Sequence, residues 1–149
     1  MSNKTYNLQD LAWLAGIMDG EGCIHIRKNK VTATSKHKTT NYSLIIKIGI
    51  THKPTIDRIQ KIFNFGHINI SSINRIKRIF NWNCMSYDAE HALLFLYPFL
   101  ITKKKEAKLA LKFMRLGSYR KGQKKTPISV INKKEGFYLK LRNLKKYSY

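Results

Sequence analysis

The sequence predicts an α+β fold in the order α-β-β-α-β-β-α, with additional helices at the C-terminus. Three patterns carry that expectation. Leu8, Leu11, Ala12, Leu14 and Ala15 recur at helical spacing. Tyr42 to Thr51 alternates: Tyr42, Leu44, Ile46, Ile48 and Ile50 form one face, and Ser43, Ile45, Lys47, Gly49 and Thr51 the other. Strand-like segments come in two adjacent pairs separated by a helical one.

The elements follow in order. Asn7 can cap the first helix, with Asp10 in the place of a capping-box acid. The glycines of Gly16-Ile17-Met18-Asp19-Gly20-Glu21-Gly22 end that helix and let another backbone come close. Cys23 to Asn29 reads as a strand with Ile24 and Ile26 on one side and His25, Arg27 and Asn29 on the other. Pro54 opens a second helix reaching Phe63, with Ile56, Ile59, Ile62 and Phe63 as its stripe. His67 to Ser71 is a short strand, with Ile68 and Ile70 inward. A basic turn with Asn74, Arg75, Lys77 and Arg78 leads to a fourth strand over Ile79 to Met85, whose facing the pattern leaves open. Helices follow over Tyr87 to Tyr97 and Lys103 to Leu116. After a basic loop, Ser118 to Pro127, a last helix begins near Asn132, where Asn132 and Glu135 have capping-box spacing.

A chain of 149 residues suits a single domain, 1–149, with enough length for a real core. No run of roughly 18 or more apolar residues predicts a membrane span. The N-terminus lacks the apolar stretch of a signal peptide, so an intracellular protein is expected. Two cysteines, Cys23 and Cys84, make a disulfide scaffold an unsuitable reading. The five histidines, His25, His37, His52, His67 and His91, show no metal-ligand spacing.

The net charge is +21, from 29 Lys and Arg against 8 Asp and Glu. The basic residues are spread evenly: nine in 1–60, ten in 61–116 and ten in 117–149, so no removable tail explains the charge. Nucleic acid is the expected partner, because each neutralised phosphate releases counterions. A merely solubilising surface would mix both signs, and an anionic membrane would favour one basic amphipathic helix.

Carboxylates are scarce: Asp10, Asp19, Glu21, Asp57, Asp88, Glu90, Glu106 and Glu135. Only Asp19 and Glu21 sit in a glycine-rich helix end, beside a strand whose polar face carries His25 and Arg27. Mg²⁺ takes oxygen ligands and can bridge protein to phosphate. The bland alternative is two solvated acids at a helix C-terminus, where negative charge is unfavourable without a cation.

Leu14-Ala15-Gly16-Ile17-Met18-Asp19-Gly20-Glu21-Gly22 resembles the motif that names the LAGLIDADG homing endonucleases. The order of elements also matches that family's core over about residues 7–116, leaving 117–149 as a basic helical extension. The resemblance implies a homodimer, since one motif is present and cutting both strands takes two. Motif helices would meet through Ala12, Ala15 and Gly16, with Asp19 at the helix end or interface. Glu21 and the Gly20 carbonyl would hold Mg²⁺ or another divalent cation such as Mn²⁺. Lys103, after Pro98, would serve as the catalytic cation. The family's polar position on the second strand falls on Gly49, a departure that Lys47 could make good. The implied activity is site-specific hydrolysis of double-stranded DNA at a palindromic or near-palindromic target, leaving short 3′ overhangs.

The antiparallel sheet would enter the major groove. Its expected DNA-binding residues are His25, Arg27, Asn29, Ser43, Lys47, Asn69 and Ser71, with Arg75, Lys77, Arg78, Asn81 and Asn83. Polar residues on an alternating strand are equally those of a solvated face. Two rivals keep the basic surface without using Glu21: a maturase that helps intron RNA fold, and a DNA-binding regulator that does not cut.

Overall fold

The computed structural model describes residues 5–32, 34, 39–73, 76–117 and 126–146. Five helices and four strands occur among them: α1 (Leu8–Glu21), β1 (Gly22–Asn29), β2 (Asn41–Ile50), α2 (Lys53–Phe63), β3 (His67–Ile73), β4 (Lys77–Met85), α3 (Tyr87–Leu96), α4 (Lys104–Met114) and α5 (Ile128–Lys146). The strands form one antiparallel sheet in the order β1-β2-β4-β3.

Alternation gives the sheet two unlike faces. Ile24, Ile26, Leu44, Ile46, Ile48, Trp82 and Cys84 are buried beneath the helices. The facing of β4 is thereby settled, with Phe80, Trp82 and Cys84 toward the core. Trp82 anchors this layer. Its ring stacks on Phe63 at 5.3 Å, and its indole N–H donates to the Phe65 carbonyl at 3.2 Å. Gly66, at φ +79°, makes the turn beneath it, where a Cβ would lie 2.8 Å from the indole.

Helix α1 carries two interior glycines, each costing roughly 1 kcal/mol relative to alanine. Tertiary packing outweighs that. Leu11, Leu14, Ala15 and Met18 are buried, and each large apolar side chain so placed contributes about 1.5–3 kcal/mol.

Some expectations are corrected. Asn7 caps α1 by accepting from the Gln9 N–H at 2.8 Å, but Asp10 pairs with Arg58 instead of closing a capping box. Helix α5 starts at Ile128, where the Pro127 carbonyl accepts from Val130 and Ile131, so Asn132 lies inside it. Ile70 is 58% exposed, because β3 is an edge strand that reaches beyond the helical layer. Lys77 and Arg78 belong to β4 and not to a turn. Asn74, Arg75, His37 and the loop residues 118–125 lie outside the described residues.

Helix α5 runs along the free edge of β1. Toward its middle, Glu135 accepts from Lys28 at 2.8 Å and from the Tyr42 hydroxyl. Near its end, Lys145 reaches Cys23. The helix therefore lies antiparallel to β1 and shields an edge that would otherwise invite pairing. Among the described residues no helix is long and apolar enough to cross a membrane.

Candidate active site

The site is built where α1 turns directly into β1. The Gly22 N–H closes the helix onto the Met18 carbonyl. A Cβ on Gly22 would lie 2.6 Å from that oxygen, so only glycine allows so abrupt a turn. Gly22 pairs with Ile48 at the end of the β1–β2 ladder, and Glu21 is the helical residue immediately before it. Glu21 and Gly20 are exposed at this corner, and Glu21 makes no ion pair among the described residues.

Asp19 is committed within its own chain. One carboxylate oxygen accepts from the Ile101 N–H and the other from the Lys103 N–H, both at 2.8 Å. In return the Lys103 ammonium donates to the Asp19 carbonyl at 2.5 Å. Asp19 thus caps the segment entering α4, and Lys103 places a cation at the negative end of the α1 dipole. The two acids of the motif diverge in consequence: Asp19 is held by amides, while Glu21 faces out.

An exposed stripe runs up α1 to this corner: Leu8, Ala12, Gly16 and Gly20, spaced four apart. A Cβ at Gly16 or Gly20 would meet nothing within 4 Å. Ala15 does not share the stripe. It has no exposed surface and packs into the core, which corrects its grouping with Ala12 and Gly16.

The outer sheet face presents rows of polar residues in register. Arg27 lies opposite Ser43; Cys23, Lys47, Asn83 and His67 form one row, and Gly49, Asn81 and Asn69 the next. Arg27, Asn29, Lys47, Asn69, Ser71, Lys77 and Arg78 are exposed, and His25, Ser43 and Asn83 partly so. Asn83 donates to the Asn69 side chain at 2.5 Å. A shallow trough of about 320 Å³ opens between Arg27, Ile45, His67, Asn69 and Met85. Met85, 42% exposed, escaped the sequence reading because an apolar residue on a strand reads as core.

The cations here have no carboxylate partners among the described residues, where ion pairs join only Lys28 to Glu135, Lys53 to Asp57 and Arg58 to Asp10. Burial first, then Lys145, Arg27 and Lys47, holds the His25 imidazole below its ordinary pKa. Among the described residues no three His, Cys, Asp or Glu side chains gather to hold a metal. Among the described residues, this corner offers a hard cation the Glu21 carboxylate and helix-end carbonyls such as that of Gly20. These are oxygen donors of the kind Mg²⁺ takes, and too few to enclose it.

Residues 14–114 match the family model described as LAGLIDADG endonuclease. The chain belongs to the LAGLIDADG endonuclease family. No curated protein matches the sequence. Solved structures share the fold. The homing endonuclease I-CvuI, in complex with its target, is 21% identical, with a TM-score of 0.73 over 93% of this chain and 85% of that one. The archaeal intron-encoded homing endonuclease I-Vdi141I, complexed with DNA, is 12% identical, with a TM-score of 0.72 over 91% and 83%. The meganuclease I-SmaMI, bound to uncleaveable DNA, is 17% identical, with a TM-score of 0.68 over 94% of this chain but 46% of that one.

This LAGLIDADG chain carries its motif at the start of the matched region, and α5 lies beyond the region's end. Gly49 has a structural partner. A Cβ there would lie 2.7 Å from the side-chain oxygen of Asn81 on the neighbouring strand. Asn81 fills that space and is only 2% exposed, with its amide donating to the Ser71 hydroxyl at 2.9 Å and the Ile79 carbonyl at 3.3 Å. Asn81 therefore does not offer its amide to an outside ligand, which corrects its place among the DNA-reading candidates. Burying that amide unpaired would cost about 1–3 kcal/mol.

Proposed function

We propose that the chain acts as a homodimeric, divalent-metal-dependent endonuclease that cuts both strands of a palindromic or near-palindromic DNA site. Family membership makes it a site-specific DNA endonuclease; the dimer, the metal and the residue roles are the proposal. The observation that carries it is the open stripe Ala12, Gly16 and Gly20 ending at exposed Glu21. Glycines with empty space beside them weaken an isolated helix, and a second helix packed against them would repay the loss. A two-fold axis along that stripe would bring two Glu21 carboxylates together at one end. The half-length match to I-SmaMI supports a unit that works in pairs.

In this reading the Glu21 carboxylate and Gly20 carbonyl would hold the cation. Bound there, Mg²⁺ supplies Lewis-acid polarisation of the phosphate and a water of lowered pKa. Lys103 sets an ammonium beside the same helix end to stabilise charge developing on the phosphate. Lys47, on the row next to Gly49, faces the same region and orients water or phosphate. Asp19 acts through Lys103 by fixing its backbone. Arg27, Asn69, Asn83 and their neighbours occupy the major groove, and cleavage across the minor groove leaves short 3′ overhangs.

Incubation with a randomised duplex library tests the reading. Enriched cuts centred on a two-fold sequence, present with Mg²⁺ and lost with chelator, are expected. A protein that is monomeric at cleaving concentrations, or that cuts equally in chelator, would overturn the dimeric metal mechanism.

A further inference from the structure

Helix α5 brings an unpaired cation over the sheet edge to the neighbourhood of Glu21. The Lys145 ammonium lies 3.2 Å from the Cys23 sulfur, and the His25 ring nitrogen Nδ1 lies 3.7 Å from that same sulfur. Cys23 is the register partner of Lys47 and follows Glu21 by two residues, just past Gly22, where α1 turns into β1. Lys145 is partly buried and pairs with no carboxylate among the described residues. The Lys145 ammonium thus sits on the Cys23 thiol beside the strand position of Lys47, and neither lysine pairs with a carboxylate among the described residues. Such an arrangement repels itself until an anion arrives.

The placement is built, not incidental. Ten residues upstream, Glu135 is fixed by Lys28 and the Tyr42 hydroxyl, and Tyr42 is buried. The Tyr138 ring then packs 6.2 Å from the Tyr42 ring, with the Arg142 guanidinium 5.5 Å above it. Residues 135, 138, 142 and 145 share one side of α5, the side that follows β1.

We propose that Lys145, together with Lys47 across the Cys23 position, forms a binding subsite for one DNA backbone phosphate next to the scissile one. Glu135, Lys28 and Tyr42 position the helix that delivers it. This rests on the endonuclease reading and extends it to a helix outside the family match. A single phosphate satisfies both ammonium groups and sets the strand's register relative to Glu21. Cys23 supplies a small, weakly polar floor for it.

The test measures binding to the library-selected duplex across a salt series for the wild-type protein, Lys145→Ala, Lys145→Arg and Lys140→Ala. Lys140 stands on the same helix with its ammonium over the Phe137 ring, so its loss removes equal charge elsewhere. Lys145→Ala should lower the slope of log affinity against log salt by up to about 0.9 per subunit, the value for one phosphate contact, with Lys47 retaining the remainder. Lys145→Arg should keep the slope, and Lys140→Ala should match wild type. An unchanged slope in Lys145→Ala, or an equal fall in Lys140→Ala, would overturn the subsite while leaving the endonuclease intact. A wild-type protein that bound DNA without salt dependence would instead overturn the endonuclease reading and this one with it.

Discussion

Asp19 and Lys103 hold each other reciprocally: the carboxylate of Asp19 accepts the Lys103 backbone N–H, and the Lys103 ammonium donates to the Asp19 backbone carbonyl. Though 84 positions apart in sequence, the two residues meet at one corner of the molecule. That lock fixes the end of α1 against the start of α4, and so fixes where Glu21 stands.

Asp19→Asn should therefore loosen the corner before it alters any chemistry. An amide accepts at one oxygen where the carboxylate accepts at two, and bonds to a charged group contribute about 1.5–3 kcal/mol each. Urea unfolding should show a loss of about 1–3 kcal/mol, with no change in slope. Lys103→Ala should separate the roles, lowering single-turnover cleavage by about 10² or more while moving stability less. Equal stability in Asp19→Asn and wild type would remove the lock from the account.

Gly16→Ala distinguishes a lone helix from a paired one. In a monomer, with nothing within 4 Å of the new methyl, the change should stabilise α1 by up to about 1 kcal/mol. Across a close helix pair it should instead weaken dimerisation, seen by sedimentation as a raised dissociation constant. A higher melting temperature at every protein concentration would argue against the interface.

Gly49→Gln should be destabilising by about 1–3 kcal/mol, because the new side chain meets Asn81. Combining it with Asn81→Ala should recover part of that loss, giving a non-additive double-mutant cycle. Strict additivity would mean the two positions do not share the space.

His25 gives a pH signature. Its folded pKa is below its unfolded value, so the unfolded chain binds the extra proton more readily. Stability from this group is complete above the unfolded value, about 6.5, and declines as pH falls through the folded one. Melting temperature should drop on acidification below about pH 6.5, and His25→Gln should flatten that part of the curve. An identical profile in His25→Gln would discount the imidazole.

Much of this was legible in the sequence because period and chemistry agreed. Helix α1 and strand β2 announce themselves by spacing, and the motif residues place Glu21 at a helix end. What the sequence concealed depends on facts between elements. Ala12 and Ala15 are the same residue type three apart, and only the packing of α1 on the sheet shows which is free. Asn81 alternates outward like Asn83, yet Gly49 on the next strand gives it a space to sink into. Glu135 has capping-box spacing from Asn132, yet spends its charge on Lys28 and Tyr42, more than ninety residues upstream. Lys145 is one lysine among many until α5 is laid along β1.

The most direct measurement is single-turnover cleavage and binding of the selected duplex by Glu21→Gln. The variant should bind DNA within about twofold of wild type and lose cutting of both strands. Undiminished cutting by Glu21→Gln would contradict the claim that paired Glu21 carboxylates carry the reaction.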